Sequence, residues 1–180
     1  TQLERDRLVR RDALLKKARC SDVEVAAALG RLAQDGAVIL FDELAVHASW
    51  WADLKRRAAE RINLEHRARP ERLGLALSEL AAALEDDVSL PGAFEVLVAD
   101  LAEGEFRQVG TVIQRRTHRP DLPQRLKAAG AFVRQALAEK PLEPPSRKHL
   151  ASDQPLQQAL QFLLDTGQAV EISADIVLSA

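Results

Sequence analysis

The sequence holds no tyrosine, no methionine and a single cysteine, Cys20. A lone thiol excludes an internal disulfide framework and fits a reducing compartment, so a cytoplasmic protein is expected. Aromatic residues make up only 4%, which leaves the core to be built from Leu, Val, Ile and Ala. No apolar run approaches the roughly 18 residues that cross a bilayer, and no secretory signal is present, so a soluble chain without a membrane partner is expected. Charged residues are plentiful at 29%, yet the net charge is only −2. A chain that grips nucleic acid over its whole surface is strongly basic, so any such grip here is confined to a local patch. The start at Thr1 and the lack of Met lead us to expect a fragment or processed product, with a length of 180 residues that suits two or three small modules.

Catalytic signatures are also missing. There is neither a G-x-x-x-x-G-K-[ST] phosphate loop nor a G-x-G-x-x-G fingerprint. The histidines His47, His66, His118 and His149 never pair at the short spacing of a zinc site. Cys20 directly precedes Ser21, a helix cap, but a packed or idle thiol is the expected state. The carboxylate run Glu85-Asp86-Asp87 reads as a solvated loop with nothing nearby to bury or pair it. No enzyme, metal or cofactor is expected in this segment.

What is present is a repeat. Leu29 to Gly36, Leu97 to Gly104 and Leu160 to Gly167 each place a Leu seven residues before a Gly, two turns back on one helix face. The glycine closes the helix in the left-handed conformation. Strand formers follow in Ala37–Phe41, Glu105–Val109 and Gln168–Ile172. After the turns Asp42-Glu43, Gly110 and Ser173-Ala174, a second strand returns in Leu44–Val46, Thr111–Ile113 and Asp175–Leu178. Gly36 to Gly104 is 68 residues and Gly104 to Gly167 is 63. That period fits a winged-helix module of three helices and a two-stranded wing, and is too long for the common helical solenoids.

The intervening segments supply further helices. Trp50 to about Ala68 carries Trp51, Leu54, Ala58, Arg61 and Ile62 at helical spacing, with Ser49 as the N-cap and Arg69-Pro70 as the stop. One of the adjacent tryptophans, Trp50 and Trp51, faces inward and the other a neighbouring module. Leu77–Leu84 and Gly92–Glu103 complete that unit; Leu122–Lys140, Ser146–Ala151 and Asp153–Thr166 form the next, with Asp153 as cap and Pro155 in the first turn. Thr1–Ala18 is basic and helix-prone, and Ser21–Asp35 precedes the first wing. The reading is α+β: tandem winged-helix modules, with a partial one at residues 1–48, whose first helix is cut away, and further ones at 49–118 and 119–180.

Charge decides how such a fold could meet a nucleic acid. The helix before the wing usually enters the groove, and needs cations to do so. Asp22–Gln34 is net −1, Gly92–Glu103 net −3 and Gln154–Asp165 net −1, so groove reading is not expected. Positive charge lies in Thr1–Arg19 (net +4), in Lys55, Arg56, Arg57 and Arg61 beside Asp53 and Glu60, and in Arg115, Arg116 and Arg119 with His118. A solvated, salt-bridged surface accounts for most of it. The Arg115–Arg119 stretch has no acid of its own, and Arg115, Arg116 and Arg119 are the candidate phosphate-backbone contacts.

Three segments carry a family resemblance. His66-Arg67-Ala68-Arg69-Pro70-Glu71-Arg72-Leu73-Gly74-Leu75-Ala76-Leu77-Ser78-Glu79-Leu80 and Pro144-Pro145-Ser146-Arg147-Lys148-His149-Leu150, followed by Gly167–Ile172, resemble the winged-helix region of the selenocysteine-specific elongation factors, SelB. The resemblance runs from about residue 20 to the end. It implies a role in selenocysteine incorporation, with GTP and selenocysteinyl-tRNA bound by domains outside this segment and the mRNA hairpin held by a later module. The chain would then be a monomeric arm that meets mRNA and ribosome through the parent factor. A winged-helix DNA-binding transcriptional regulator, or a scaffold unrelated to translation, is the competing reading.

Overall fold

A computed structural model describes residues 7–17, 21–139 and 145–180. Helices alternate with small antiparallel sheets, and the chain divides into two compact units, Thr1–Ile62 with Ala76–Ile113 and Asn63–Leu75 with Gln114–Ala180. Among the described residues, no helix is long and apolar enough to cross a membrane.

One local order recurs three times. A short edge strand leads into a short helix, a longer helix follows, and a hairpin closes the sequence. The first copy is β1 (Leu8–Arg10), α1 (Arg11–Lys17), α2 (Asp22–Gln34), β2 (Val38–Leu40) and β3 (Leu44–His47). After the long α3 (Ala48–Ala68), the second copy is β4 (Leu75–Ala76), α4 (Leu77–Ala83), α5 (Ala93–Glu103), β5 (Phe106–Val109) and β6 (Val112–Arg115). After α6 (Gln124–Glu139), the third is α7 (Arg147–Leu150), α8 (Gln154–Asp165), β7 (Ala169–Ser173) and β8 (Ile176–Ser179). Strand orders are β1-β3-β2 and β4-β6-β5. In the third copy the edge strand shrinks to a single bridge, Ser146 to Ile176.

The first unit forms where local signals agree. Ser21 caps α2 through a reciprocal box: its hydroxyl accepts from the Glu24 amide while the Glu24 carboxylate accepts from the Ser21 amide. Gly36 takes φ 70°, open to glycine at little cost, and turns the chain into β2. Val9, Leu29, Val38 and Ala45 share one apolar cluster. On α3, Trp51, Leu54, Ala58 and Ile62 are fully buried along one stripe, while Trp50 is half-buried.

In the second unit, Leu126, Val133 and Leu137 of α6 pack with Leu150, Leu160 and Leu163. Gly130 lies on the same face, and a side chain there would run into Leu122 Cδ1. Asp153 caps α8, accepting from the Leu156 amide at 2.8 Å, with Pro155 in the first turn. Gly167 leaves α8 with φ 70°.

Several local expectations need correction. Leu8–Arg10 is a strand, not helix: Val9 pairs with Ala45, and Leu8 and Val9 are buried, so a sheet partner overrides the helical bias of the segment. Of the expected helix-prone stretch, residues 1–6 and 18 lie outside the described residues, as does Cys20. Ser49 does not cap α3; the helix begins at Ala48, and the Ser49 hydroxyl hydrogen-bonds His47 Nδ1 at 3.0 Å. Gly104 is not left-handed, with φ −97°; its amide instead closes α5 by donating to the Leu101 carbonyl. α6 starts at Gln124 rather than Leu122, because a residue before proline, here Pro123, is held out of helical geometry. Lys140 at its expected end is outside the described residues. The last hairpin turns at Ala174-Asp175, one residue later than expected.

Candidate nucleic-acid interface

Arg115 ends β6, and Arg116 and Arg119 occupy the loop after it. The loop is drawn tight by its own backbone, with the His118 amide donating to the Arg115 carbonyl at 3.0 Å. Arg115 is half-buried, and its Nε donates to Asn63 Oδ1 at 2.7 Å. It therefore has a structural duty. Arg119 is exposed and folds back, its Nη1 donating to the carbonyls of Arg116 and His118, each at 3.0 Å. Those acceptors are neutral, so the bonds hold the guanidinium without cancelling its charge. Arg116 is exposed. The geometry thus presents Arg116 and Arg119 outward and turns Arg115 toward the protein.

Beneath the loop lies a feature that residue spacing did not reveal. The rings of His66 and His118 stack with centroids 3.8 Å apart and planes 4° from parallel. His118 Nε2 donates to the Arg72 carbonyl at 2.9 Å, which fixes that ring. Burial, joined by electrostatic repulsion from the neighbouring His118 and Arg115, lowers His66 from 6.5 to about 4, with Glu65 opposing. Glu65 is itself buried and accepts from Arg69 at 3.3 Å and Arg72 at 3.1 Å. His66 is therefore neutral near pH 7. Its Nε2 and the Gln114 Oε1 are buried without a hydrogen-bond partner.

The other cations behave differently. Lys55 meets Asp100 at 3.1 Å, Arg56 meets Asp53 at 2.5 Å and Glu60 at 2.7 Å, and Arg57 meets Asp53 at 3.0 Å. Arg57 also reaches Asp87 at 2.6 Å. That pair overturns the view of Glu85-Asp86-Asp87 as a run with nothing to pair it: α3 carries the arginine past the loop. Asp100 accepts from Trp51 Nε1 as well, at 2.5 Å. Lys55, Arg56 and Arg57 of α3 are thus matched by carboxylates, whereas Arg119 donates to neutral carbonyls.

In the basic N-terminal stretch, Arg10 pairs with Asp12 at 3.1 Å, and Arg11 donates to the Asp42 carbonyl at 3.1 Å. Arg5 and Arg19 are outside the described residues. Among the described residues, no group of three or more His, Cys, Asp or Glu side chains is placed to hold a metal ion.

The chain matches no known protein-family profile and no characterised protein in sequence.

Proposed function

We propose that this chain is a tandem winged-helix arm of a selenocysteine-specific elongation factor, spacing a GTPase and tRNA-binding body from an mRNA-hairpin-binding end. One observation carries the reading: the order of edge strand, short helix, longer helix and hairpin occurs twice in full and a third time with a single bridge in place of the edge strand. That order suits modules which present a wing and stack in tandem, and the resembling motifs, in their described residues His66–Leu80 and Pro145–Leu150, fall at matching places within it. The acidic helices before the wings favour a spacer over a groove reader, since a polyanion's groove demands cations. GTP, selenocysteinyl-tRNA and the mRNA hairpin would be bound by other parts of the factor. Arg116 and Arg119 are the residues most suited to a glancing phosphate contact, with Arg115 bracing the loop.

The test is twofold. Sequencing the reading frame around this segment should find a GTP-binding phosphate loop upstream and a further basic winged helix downstream; their absence defeats the assignment. In the intact factor, Arg116→Ala with Arg119→Ala should weaken ribosome or RNA association and flatten its salt dependence. An unchanged salt slope rules out the phosphate contact. A salt-sensitive shift of duplex DNA by the chain would instead favour a transcriptional regulator.

A further inference from the structure

We infer that the groove between the β2–β3 hairpin and α5 is a docking site for a basic peptide segment of a protein partner, one whose apolar side chains alternate with lysine or arginine. This site is separate from the arginine loop and does not depend on the translation reading.

The groove lies wholly within the first compact unit and has a volume of about 650 Å³. That is within the range of sites that enclose a ligand group. Its apolar lining is the half-buried Ile39, Leu40, Phe41 and Val96, with exposed Ala99 beside them. Its acidic lining residues are Asp42, Glu43, Asp100 and Glu103, with Lys55 the cation among the lining and Arg11 close by, donating to the Asp42 carbonyl at 3.1 Å. Lys55 is already matched by Asp100 at 3.1 Å. Asp42, Glu43 and Glu103 are exposed, and Glu43 has only a long contact of 3.8 Å to Arg10.

The chemistry of the occupant follows from that pattern. The apolar lining rewards burial of Leu-like or Ile-like side chains. The acidic lining attracts cations beside them and repels phosphate, so nucleic acid is excluded from this face. An open trough lined by both apolar and acidic side chains suits an extended or helical segment with a repeating pattern better than a compact solute.

The structure also supplies a reporter. Phe41 lines the groove, and its ring lies 5.3 Å from that of Trp51 at 53°. Trp51 is fully buried and donates to Asp100, another lining residue. An occupant pressing on Phe41 or Asp100 therefore changes the surroundings of the Trp51 indole.

The experiment titrates the chain, carrying Trp50→Phe so that emission reports Trp51, with a 12-residue leucine–lysine peptide labelled with fluorescein. Controls are a leucine–glutamate peptide and a serine–lysine peptide. Saturable binding with a shift in Trp51 emission is expected for leucine–lysine alone. Asp42→Lys with Glu103→Lys, both at exposed positions, should weaken it by roughly tenfold or more, with a melting curve like that of the parent. Equal binding by the serine–lysine peptide, equal affinity in the charge-reversed variant, or no binding up to about 1 mM overturns the proposal. Self-association that disappears in the same variant would assign the groove to a second copy and overturn it too.

Discussion

Acidification offers a direct test of the half-buried histidine. His66 has its protonation midpoint lowered from 6.5 to about 4, chiefly by burial and secondarily by electrostatic repulsion from His118 and Arg115. Below pH 6.5 the unfolded chain takes up a proton that the folded chain refuses until pH approaches 4. Stability from this group is therefore present in full above 6.5, falls as pH drops through the interval, and falls no further below 4. At 1.36 kcal/mol per pH unit the loss is at most about 3 kcal/mol. The ring is only partly shielded from water, and solvent screening reduces the expected loss to about 1–2 kcal/mol.

The assay compares urea melts of the chain and of His66→Phe between pH 7.5 and pH 4.5. Phenylalanine keeps a flat ring over His118, cannot titrate, and removes a buried nitrogen that has no hydrogen-bond partner. Carboxylates titrate in both proteins, so the difference between the two curves isolates His66. The wild-type chain should lose about 1–2 kcal/mol more than the variant on going to pH 4.5. Parallel curves, or an NMR midpoint for His66 near 6.5, would refute the reasoning.

Three further outcomes are expected in denaturant melts at pH 7. Gly30 sits in α2 with nothing within 4 Å of an added Cβ, so Gly30→Ala should stabilise by about 0.5–1 kcal/mol; Gly36 has φ 70°, so Gly36→Ala should destabilise by about 1 kcal/mol, and the same sign for both would contradict the geometry. Ser21→Ala removes the hydroxyl that accepts from the Glu24 amide, while the Ser21 amide still donates to the Glu24 carboxylate, and should cost about 1 kcal/mol, with Ser21→Thr recovering most of it. Gly130→Ala drives a methyl group into Leu122, which is itself buried, and should cost about 1–3 kcal/mol; a neutral result would mean that Leu122 has another rotamer open to it.

Periodicity made the interior legible. The stripe Trp51, Leu54, Ala58 and Ile62 is visible as helical spacing and is fully buried. The caps Ser21 and Asp153 and the turn glycines Gly36 and Gly167 are local signals whose geometry depends on a few neighbours, and they appear where the residues place them. The edge strands were not legible. Leu8–Arg10 has too few residues for a pattern, and Ser146 contributes only a bridge. Their strand character comes from β3 and β8, partners roughly 30 to 40 residues downstream whose register no local window contains. Gly104 shows the same limit from the other side: the spacing marks the helix end, but the way the end is closed depends on the Leu101 carbonyl.

Charge was harder to read than apolar pattern, for a physical reason. Counting cations in a segment measures what the chain carries, whereas binding depends on what remains uncancelled after folding. Arg57 lies beside Asp53 in sequence, yet Asp87, 30 residues on, is its closer partner. Asp100 counts as acidic charge on α5, yet Lys55 and Trp51 both engage it. Arg115 is the mirror case: it looks unopposed among its neighbours, but a neutral amide 52 residues away holds its Nε. Only a neutral partner leaves the field of an arginine intact, and for that reason Arg119, held by two carbonyls, is a better phosphate contact than Lys55, Arg56 or Arg57, which carboxylates engage. If that distinction is sound, Arg119→Ala should lower RNA or ribosome association of the intact factor, while Arg56→Ala, already paired with Asp53 and Glu60, should leave it within about twofold. Equal losses would show that pairing with carboxylates does not silence the α3 cations.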